Sequence, residues 1–293
     1  MATHMRAYRH PDDLRRLQEL ASGLWSWASQ YHVGDLAWGR RQHLGREVEW
    51  PTALWEEDGR VVAWAWVQQP GFLSLQADPA RPELVDAALA WARATATGES
   101  LTVLVLEHEK HVVAGLERHG YARDDSEPFH HYLRRPLAAL PAPPPLPEGF
   151  VIRPIQDESD AARRAAVHQR AWHPSRVTED SYRSVMRAWP YRPGLDWVAQ
   201  GPDGEFAASC LVWLDERHRV GELEPVGTAP GFRRAGLARA VCLAALAALR
   251  RAGAEHAIVY PVQGHPAHPG ALPLYTSLGF TPYGRTHTYR SSR

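Results

Sequence analysis

Hydrophobic and polar positions along the chain fall twice into the same succession of elements. A short alternating segment at 5–9 leads into an amphipathic stretch beginning at His10-Pro11-Asp12-Asp13. A second such pair is 150–155 and the stretch after Gln156-Asp157-Glu158-Ser159-Asp160. Both stretches start with acids, which suit the positive end of a helix dipole. Apolar runs at 53–55 and 61–67 flank Glu57-Asp58-Gly59, and runs at 197–199 and 206–213 flank Pro202-Asp203-Gly204. Each pattern predicts a hairpin. A strand and a long helix follow in each part, at 72–77 and 82–96 and at 221–228 and 234–252. Then come a buried-type strand (101–106 and 257–262), a short helix ending in Gly120-Tyr121 or Gly279-Phe280, and closing strands that finish each half. Repetition of a whole α/β unit predicts two copies of one module rather than a single barrel.

Between the copies, Pro136, Pro141, Pro143, Pro144, Pro145 and Pro147 crowd one short segment. Proline fixes φ and removes backbone donors, so this segment reads as an extended connector. The expected organisation is a first domain at 1–135, a linker at 136–148 and a second domain at 149–293. Eight of the 12 tryptophans precede residue 100, which predicts aromatic-rich packing in the first half.

Charge narrows the function. The chain holds 33 Lys plus Arg and 33 Asp plus Glu, a formal net charge of zero. A polyanion binder carries a basic excess, so nucleic acid and membrane surfaces are not the expected partners. Lys110 is the single lysine, a bias ascribed to genome composition. Cys210 and Cys242 sit in apolar runs and read as buried hydrophobes in a reducing compartment. Residues 1–11 have no apolar signal core, and the run at 235–249 is interrupted by Arg239. The expectation is a soluble, cytoplasmic protein.

Candidate chemistry concentrates at 226–239. There a strand ends, Gly227-Thr228-Ala229-Pro230-Gly231-Phe232-Arg233-Arg234-Ala235-Gly236 forms a loop, and an alanine-rich helix begins with Leu237-Ala238-Arg239. Small residues clear space around free backbone N–H groups, which point at an anion with the helix dipole behind them. With Arg233, Arg234 and Arg239 close by, this is a diphosphate cradle. It has neither the Gly-Lys-Ser/Thr of a nucleotide-binding P-loop nor a G-x-G-x-x-G.

Arg233-x-x-Gly236-x-Ala238 is similar to the R/Q-x-x-G-x-G/A signature of the GCN5-related N-acetyltransferases. Leu274-Tyr275-Thr276-Ser277-Leu278-Gly279-Phe280 resembles that family's closing L-Y-x-x-L-G-F. Two tandem copies with the better motif in the second resemble the mycothiol synthase-like branch. The resemblance covers about 150–290 and implies an α/β (α+β) fold of two tandem modules, each a twisted mixed sheet flanked by helices. In the first half, Pro82 and Glu83 oppose phosphate binding at the matching loop, and Leu116 stands where the family has tyrosine. That half is expected to be a degenerate copy, serving as scaffold and one wall of the substrate cleft.

The resemblance implies acetyl-coenzyme A as cosubstrate, a small-molecule primary amine as acceptor, and direct attack in a ternary complex. It places the diphosphate on Arg233, Arg234, Ala235, Gly236, Leu237, Ala238 and Arg239, and the pantetheine arm along the backbone of Val226 and Thr228. Glu222 and Glu224 share one strand face and are the candidate bases. Glu222 matches the branch's base position, whereas Glu224 is nearer the thioester by strand count. Tyr275 is the candidate general acid. His268 stands where the family commonly has asparagine, within an unusual insert. Trp172, His173 and Tyr182 are candidate acceptor walls. The pairs His265/His268 and His108/His111 read as loop histidines, so no metal is expected. The alternative is a coenzyme A-binding regulator that has lost acetyl transfer, and either a monomer or a homodimer fits.

Overall fold

A computed structural model describes residues 3–265 and 269–292. The first half runs β1 (His4–Ala7), α1 (Pro11–Leu24), α2 (Val33–Arg41), β2 (Thr52–Glu57), β3 (Arg60–Gln68), β4 (Phe72–Ala77), α3 (Glu83–Thr95), β5 (Ser100–Leu106), α4 (Lys110–Arg118), β6 (Ala122–Asp124) and β7 (His131–Pro136). The second runs β8 (Val151–Pro154), α5 (Ala161–Ala171), α6 (Glu179–Met186), β9 (Asp196–Gln200), β10 (Phe206–Asp215), β11 (Val220–Thr228), α7 (Leu237–Arg251), β12 (His256–Val259), α8 (Ala271–Ser277) and β13 (Thr281–Ser292). The proline-rich residues 139–147 form neither helix nor strand.

The repeat extends to single hydrogen bonds. In the first half Asp13 Oδ2 accepts from the Arg9 N–H, and Asp13 Oδ1 pairs with Arg6 at 2.6 Å. In the second, Asp160 Oδ2 accepts from the Gln156 N–H and pairs with Arg153 at 2.8 Å. Each acid is buried and holds its first strand to the entry of the following helix. The guanidinium and N–H partners outweigh the penalty of burial and keep both carboxyls below their ordinary range, Asp160 at about 2.

All the strands join one mixed sheet in the order β1-β2-β3-β4-β5-β13-β7-β12-β11-β10-β9-β8, with β6 also on β13. The closing strands depart from expectation, because each half closes the other. β7 lies antiparallel to β12, with Ala257 opposite Arg135, and β13 lies antiparallel to β5, with Tyr289 opposite Val103. The cores follow the strands. Leu133 and Leu137 pack into the second half's core under α7, while Tyr289 packs into the first half's core under α3.

α7 fits its place by size. Its buried face is mostly alanine and leucine, and Gly221 on β11 admits Leu249 where a Cβ would approach to 2.4 Å. The first-half tryptophans also do more than fill their own core. Trp25 packs on His218, Trp27 on His256 and Tyr283, and Trp38 on His168 and Tyr182, so the α1–α2 segment is bonded to the second half by aromatic contacts.

Candidate active site

β11 pairs with two neighbours but leaves them at different points. Its ladder with β12 covers 220–222 only, while its ladder with β10 continues to Thr228. Past Glu222, the β11 edge that faces β12 therefore has no ladder partner, and the two strands diverge. A bulge in the β10 pairing lies opposite Glu224-Pro225, and the Trp213 indole donates to the Glu224 carbonyl at 2.7 Å. Val226 and Thr228 lie on the open stretch, half-buried. The Thr228 hydroxyl is buried with no partner in the protein. An open strand edge with an unsatisfied hydroxyl fits an amide-bearing arm such as pantetheine.

The loop after β11 ends at an uncapped helix N-terminus. Gly236 precedes α7 at φ +78°, Arg234 has φ +66°, and no side chain caps the first turn. Residues 233–236 are exposed. The N–H groups of Leu237, Ala238 and Arg239 thus face outward at the positive end of the helix, over the small side chains of Ala235 and Gly236. The three arginines divide their work. Arg233 donates to the carbonyls of Thr228 and Ala171 and braces the loop. Arg239 donates to Ser277 at 2.8 and 2.9 Å and ties α7 to α8. Arg234 extends from the exposed turn, and the Leu237 side chain is buried in the core.

Glu222 is 1 % exposed, and the N-terminus of α2 in the other half holds it. Its Oε2 lies 3.1 Å from His32 Nδ1, and its side chain accepts from the Asp35 N–H. His32 caps α2: its ring accepts from the Gly34 N–H, while Asp35 accepts from the His32 N–H at 2.8 Å. Burial keeps the His32 imidazole neutral. Burial pushes the Glu222 carboxyl up to about 8, with the Asp35 hydrogen bond opposing and the Glu224 charge adding to the rise. Glu224, half-buried, is also raised to about 8 by burial and the Asp35 charge. Asp35 is raised well above the carboxylate range by burial and by Glu222. Three carboxyls that resist ionisation in one place can take a proton near neutral pH.

These acids line a cavity of about 250 Å³ on the seam, walled otherwise by Tyr31, Tyr132, Tyr260, His130 and Ser74 among others. Of these residues the sequence singled out only Glu222 and Glu224. The segment His32-Val33-Gly34-Asp35 carries a helix-start pattern, but no local signal ties it to a strand 190 residues away.

The first half's own strand gap, between β4 and β5, is filled. The Gln30 amide donates to the Leu104 carbonyl and accepts from the Leu106 N–H, both at 2.9 Å, and Tyr31 bonds Ser74 and the Leu75 backbone. At the loop matching the cradle, Arg81 is paired with Glu57 and Glu83.

The other expected residues are scattered. Tyr275 is 6 % exposed and edge-on to Phe280, with Glu224 and the two cysteines nearby; burial keeps its phenol neutral. Trp172 stacks on His168 and approaches Gly227, where a Cβ would lie 3.0 Å from the indole nitrogen. His173 is exposed. Tyr182 is fully buried with its hydroxyl on Asp196, beside Arg164, so the structure places it in the core and away from the cavity. His268 lies outside the described residues. Both cysteines are buried and unpaired, and among the described residues no helix is long and apolar enough to cross a membrane.

The model of the Acetyltransferase (GNAT) family matches residues 163–280. A mycothiol acetyltransferase from Actinosynnema mirum is 33% identical over 155 residues, 51% of this chain and 50% of that protein. Another from Thermobispora bispora is 32% identical over 182 residues, covering 54% and 55%. The chain thus spans about half the length of the curated relatives it matches. Among solved structures, a GCN5-related N-acetyltransferase from Sphaerobacter thermophilus superposes with a TM-score of 0.63 at 20% identity, over 99% of this chain and 95% of that one. A tandem GNAT protein from the clavulanic acid biosynthesis pathway gives 0.64 at 17%, over 99% and 98%. Residues 163–280 thus resemble the Acetyltransferase (GNAT) family, and over its whole length the chain has the fold of a tandem GNAT protein.

Proposed function

We propose that this protein is an acetyl-coenzyme A-dependent N-acetyltransferase that acetylates the primary amine of a small molecule, with one active site, in the second half. The observation that carries this reading is the buried Glu222, raised to about 8 at the point where β11 and β12 part. A base for an ammonium must be basic enough to take its proton near neutral pH, and an ordinary exposed carboxylate is not.

When bound, acetyl-coenzyme A supplies the activated acetyl group. The α7 N-terminus and Arg234 hold its diphosphate, and Val226 and Thr228 bond the pantetheine arm. Glu222 takes the proton from the acceptor ammonium, with Glu224 beside it. Tyr275 gives its phenolic proton to the leaving thiolate. The amine attacks directly, since both thiols are buried and Cys210 is pushed well above its ordinary pKa, which leaves it a poor nucleophile. The mycothiol acetyltransferase relatives favour a small-molecule acceptor. The domain boundaries at 135 and 149, a soluble cytoplasmic protein and a monomeric or homodimeric state belong to the same proposal.

The test is thermal shift with coenzyme A and acetyl-coenzyme A, followed by a thiol-release assay over a library of amines. A shift with turnover that Glu222→Gln removes supports the reading. A coenzyme A shift without turnover on any amine points instead to a coenzyme A-binding regulator.

A further inference from the structure

The seam cavity is built from both halves, and its charged groups are of one kind. Asp35 comes from the first half, Glu222 and Glu224 from the second, and no lysine or arginine is among its lining residues. His130 does not supply a cation either. Its Nδ1 lies 3.2 Å from the Tyr260 carbonyl, and burial lowers its pKa. Tyr260 lies on the same wall, its hydroxyl within reach of Tyr283 and its ring stacked on Tyr132 at 3.9 Å. The cavity therefore offers a flat aromatic wall, phenol hydroxyls and three acids, within a space smaller than the ~300–1,000 Å³ of drug-sized pockets.

We propose that the acceptor is a small cationic amine bearing no carboxylate, phosphate or sulfate, and that Asp35 makes the first half the part of the protein that reads this. The inference rests on the reading that the cavity takes the acceptor. A second anionic group on the ligand would find no cation to pair with and would be buried against three acids. It would also favour the protonated forms of Glu222 and Glu224, which cannot accept a proton. An ammonium acts in the opposite direction and draws the acids toward the ionised state that the reaction uses. An uncharged hydroxyl on the ligand meets Tyr260.

Matched pairs differing by one anionic group test this: histamine and histidine, tyramine and tyrosine, cadaverine and lysine, glucosamine and glucosamine 6-phosphate. Each is titrated calorimetrically against the full chain saturated with coenzyme A, and each is assayed for thiol release. The expected result is that members without the anion bind about tenfold tighter or more. Asp35→Asn should narrow that preference while the affinity for coenzyme A is unchanged; if that variant does not fold, Asp35→Ser, which also removes the charge at the start of α2, makes the same test. Equal or tighter binding of the anionic members, or binding of no member of any pair, overturns the proposal. Selective binding without thiol release from any amine removes the acetyltransferase reading and leaves the cavity's selectivity standing. Thiol release with no preference within pairs does the reverse.

Discussion

Glu222 Oε2 lies 3.1 Å from His32 Nδ1, across 190 positions of sequence and across the seam between the two halves. The candidate base therefore belongs to the second half by covalent bonding and to the first half by its hydrogen bonds. Gly34 permits the approach. A Cβ at that position would stand 2.5 Å from Glu222 Oε2 and 2.6 Å from Trp213 Cβ. Gly34→Ala should displace the carboxyl from the α2 N-terminus and lower kcat by about tenfold or more, within the usual share of a positioned base. Calorimetry should show coenzyme A affinity unchanged; an equal loss of both would mean a general disruption.

The rate should depend on pH with a rising limb. Glu222 and Glu224 must lose a proton before either accepts one, and both are held up to about 8. kcat/KM for an acceptor should climb through the region of pH 8 and not level off near pH 5, where an ordinary carboxylate would already be ionised. Because Glu222, Glu224 and Asp35 influence one another, the limb reports the cluster rather than one residue.

The same raised value makes the base costly to folding at alkaline pH. Unfolded Glu222 titrates near 4.5, and folded Glu222 near 8. Between these values the folded chain keeps a proton that the unfolded chain gives up. The stability held by that proton is whole below about pH 4.5 and is lost as pH rises through about 8, at roughly 1.4 kcal/mol per pH unit for one such group. Glu222→Gln, neutral throughout, should gain on the parent protein as pH rises from 5 to 8, in urea unfolding at both values, while its turnover falls about a hundredfold. A gap that does not change with pH would place the proton elsewhere.

Tyr275→Phe keeps the ring against Phe280 and removes only the hydroxyl. Turnover should fall with little change in coenzyme A affinity or melting temperature. Full activity in this variant would remove Tyr275 from the mechanism.

Coenzyme A should bind once per chain, because Gln30 and Tyr31 occupy the gap between β4 and β5. The loop arginines should separate by role. Arg234→Ala should weaken coenzyme A by about tenfold, the worth of a charged hydrogen bond. Arg233→Ala should also loosen the loop, because Arg233 is bonded to Thr228 and Ala171. A calorimetric stoichiometry of two would contradict the degenerate first half.

Local patterns made the second half readable. The loop before α7, the hairpins and the Leu274-to-Phe280 motif each declare themselves within a few residues, and the structure sets them on the expected elements. The duplication was legible for the same reason, since the same order of strand, helix and hairpin patterns recurs in each half, and the structure repeats it down to the Arg6/Asp13 and Arg153/Asp160 pairs. Three-dimensional proximity was not. His32, Gly34 and Asp35 form an ordinary helix start until α2 meets β11, and the exchange of β7 and β13 carries no local signature because either strand suits either sheet. Tyr182 is a candidate acceptor wall by sequence, and Asp196 and Arg164, brought in from other elements, make it a core residue.

The exchanged closing strands bear on how such a protein can change over evolutionary time. A duplicated chain with separable halves could recombine, pairing one acceptor-reading half with another donor half. Here each half lacks its last strand without the other. Shuffling at the proline-rich segment would leave two incomplete sheets, so the two copies are inherited as one unit and change together, by point substitution.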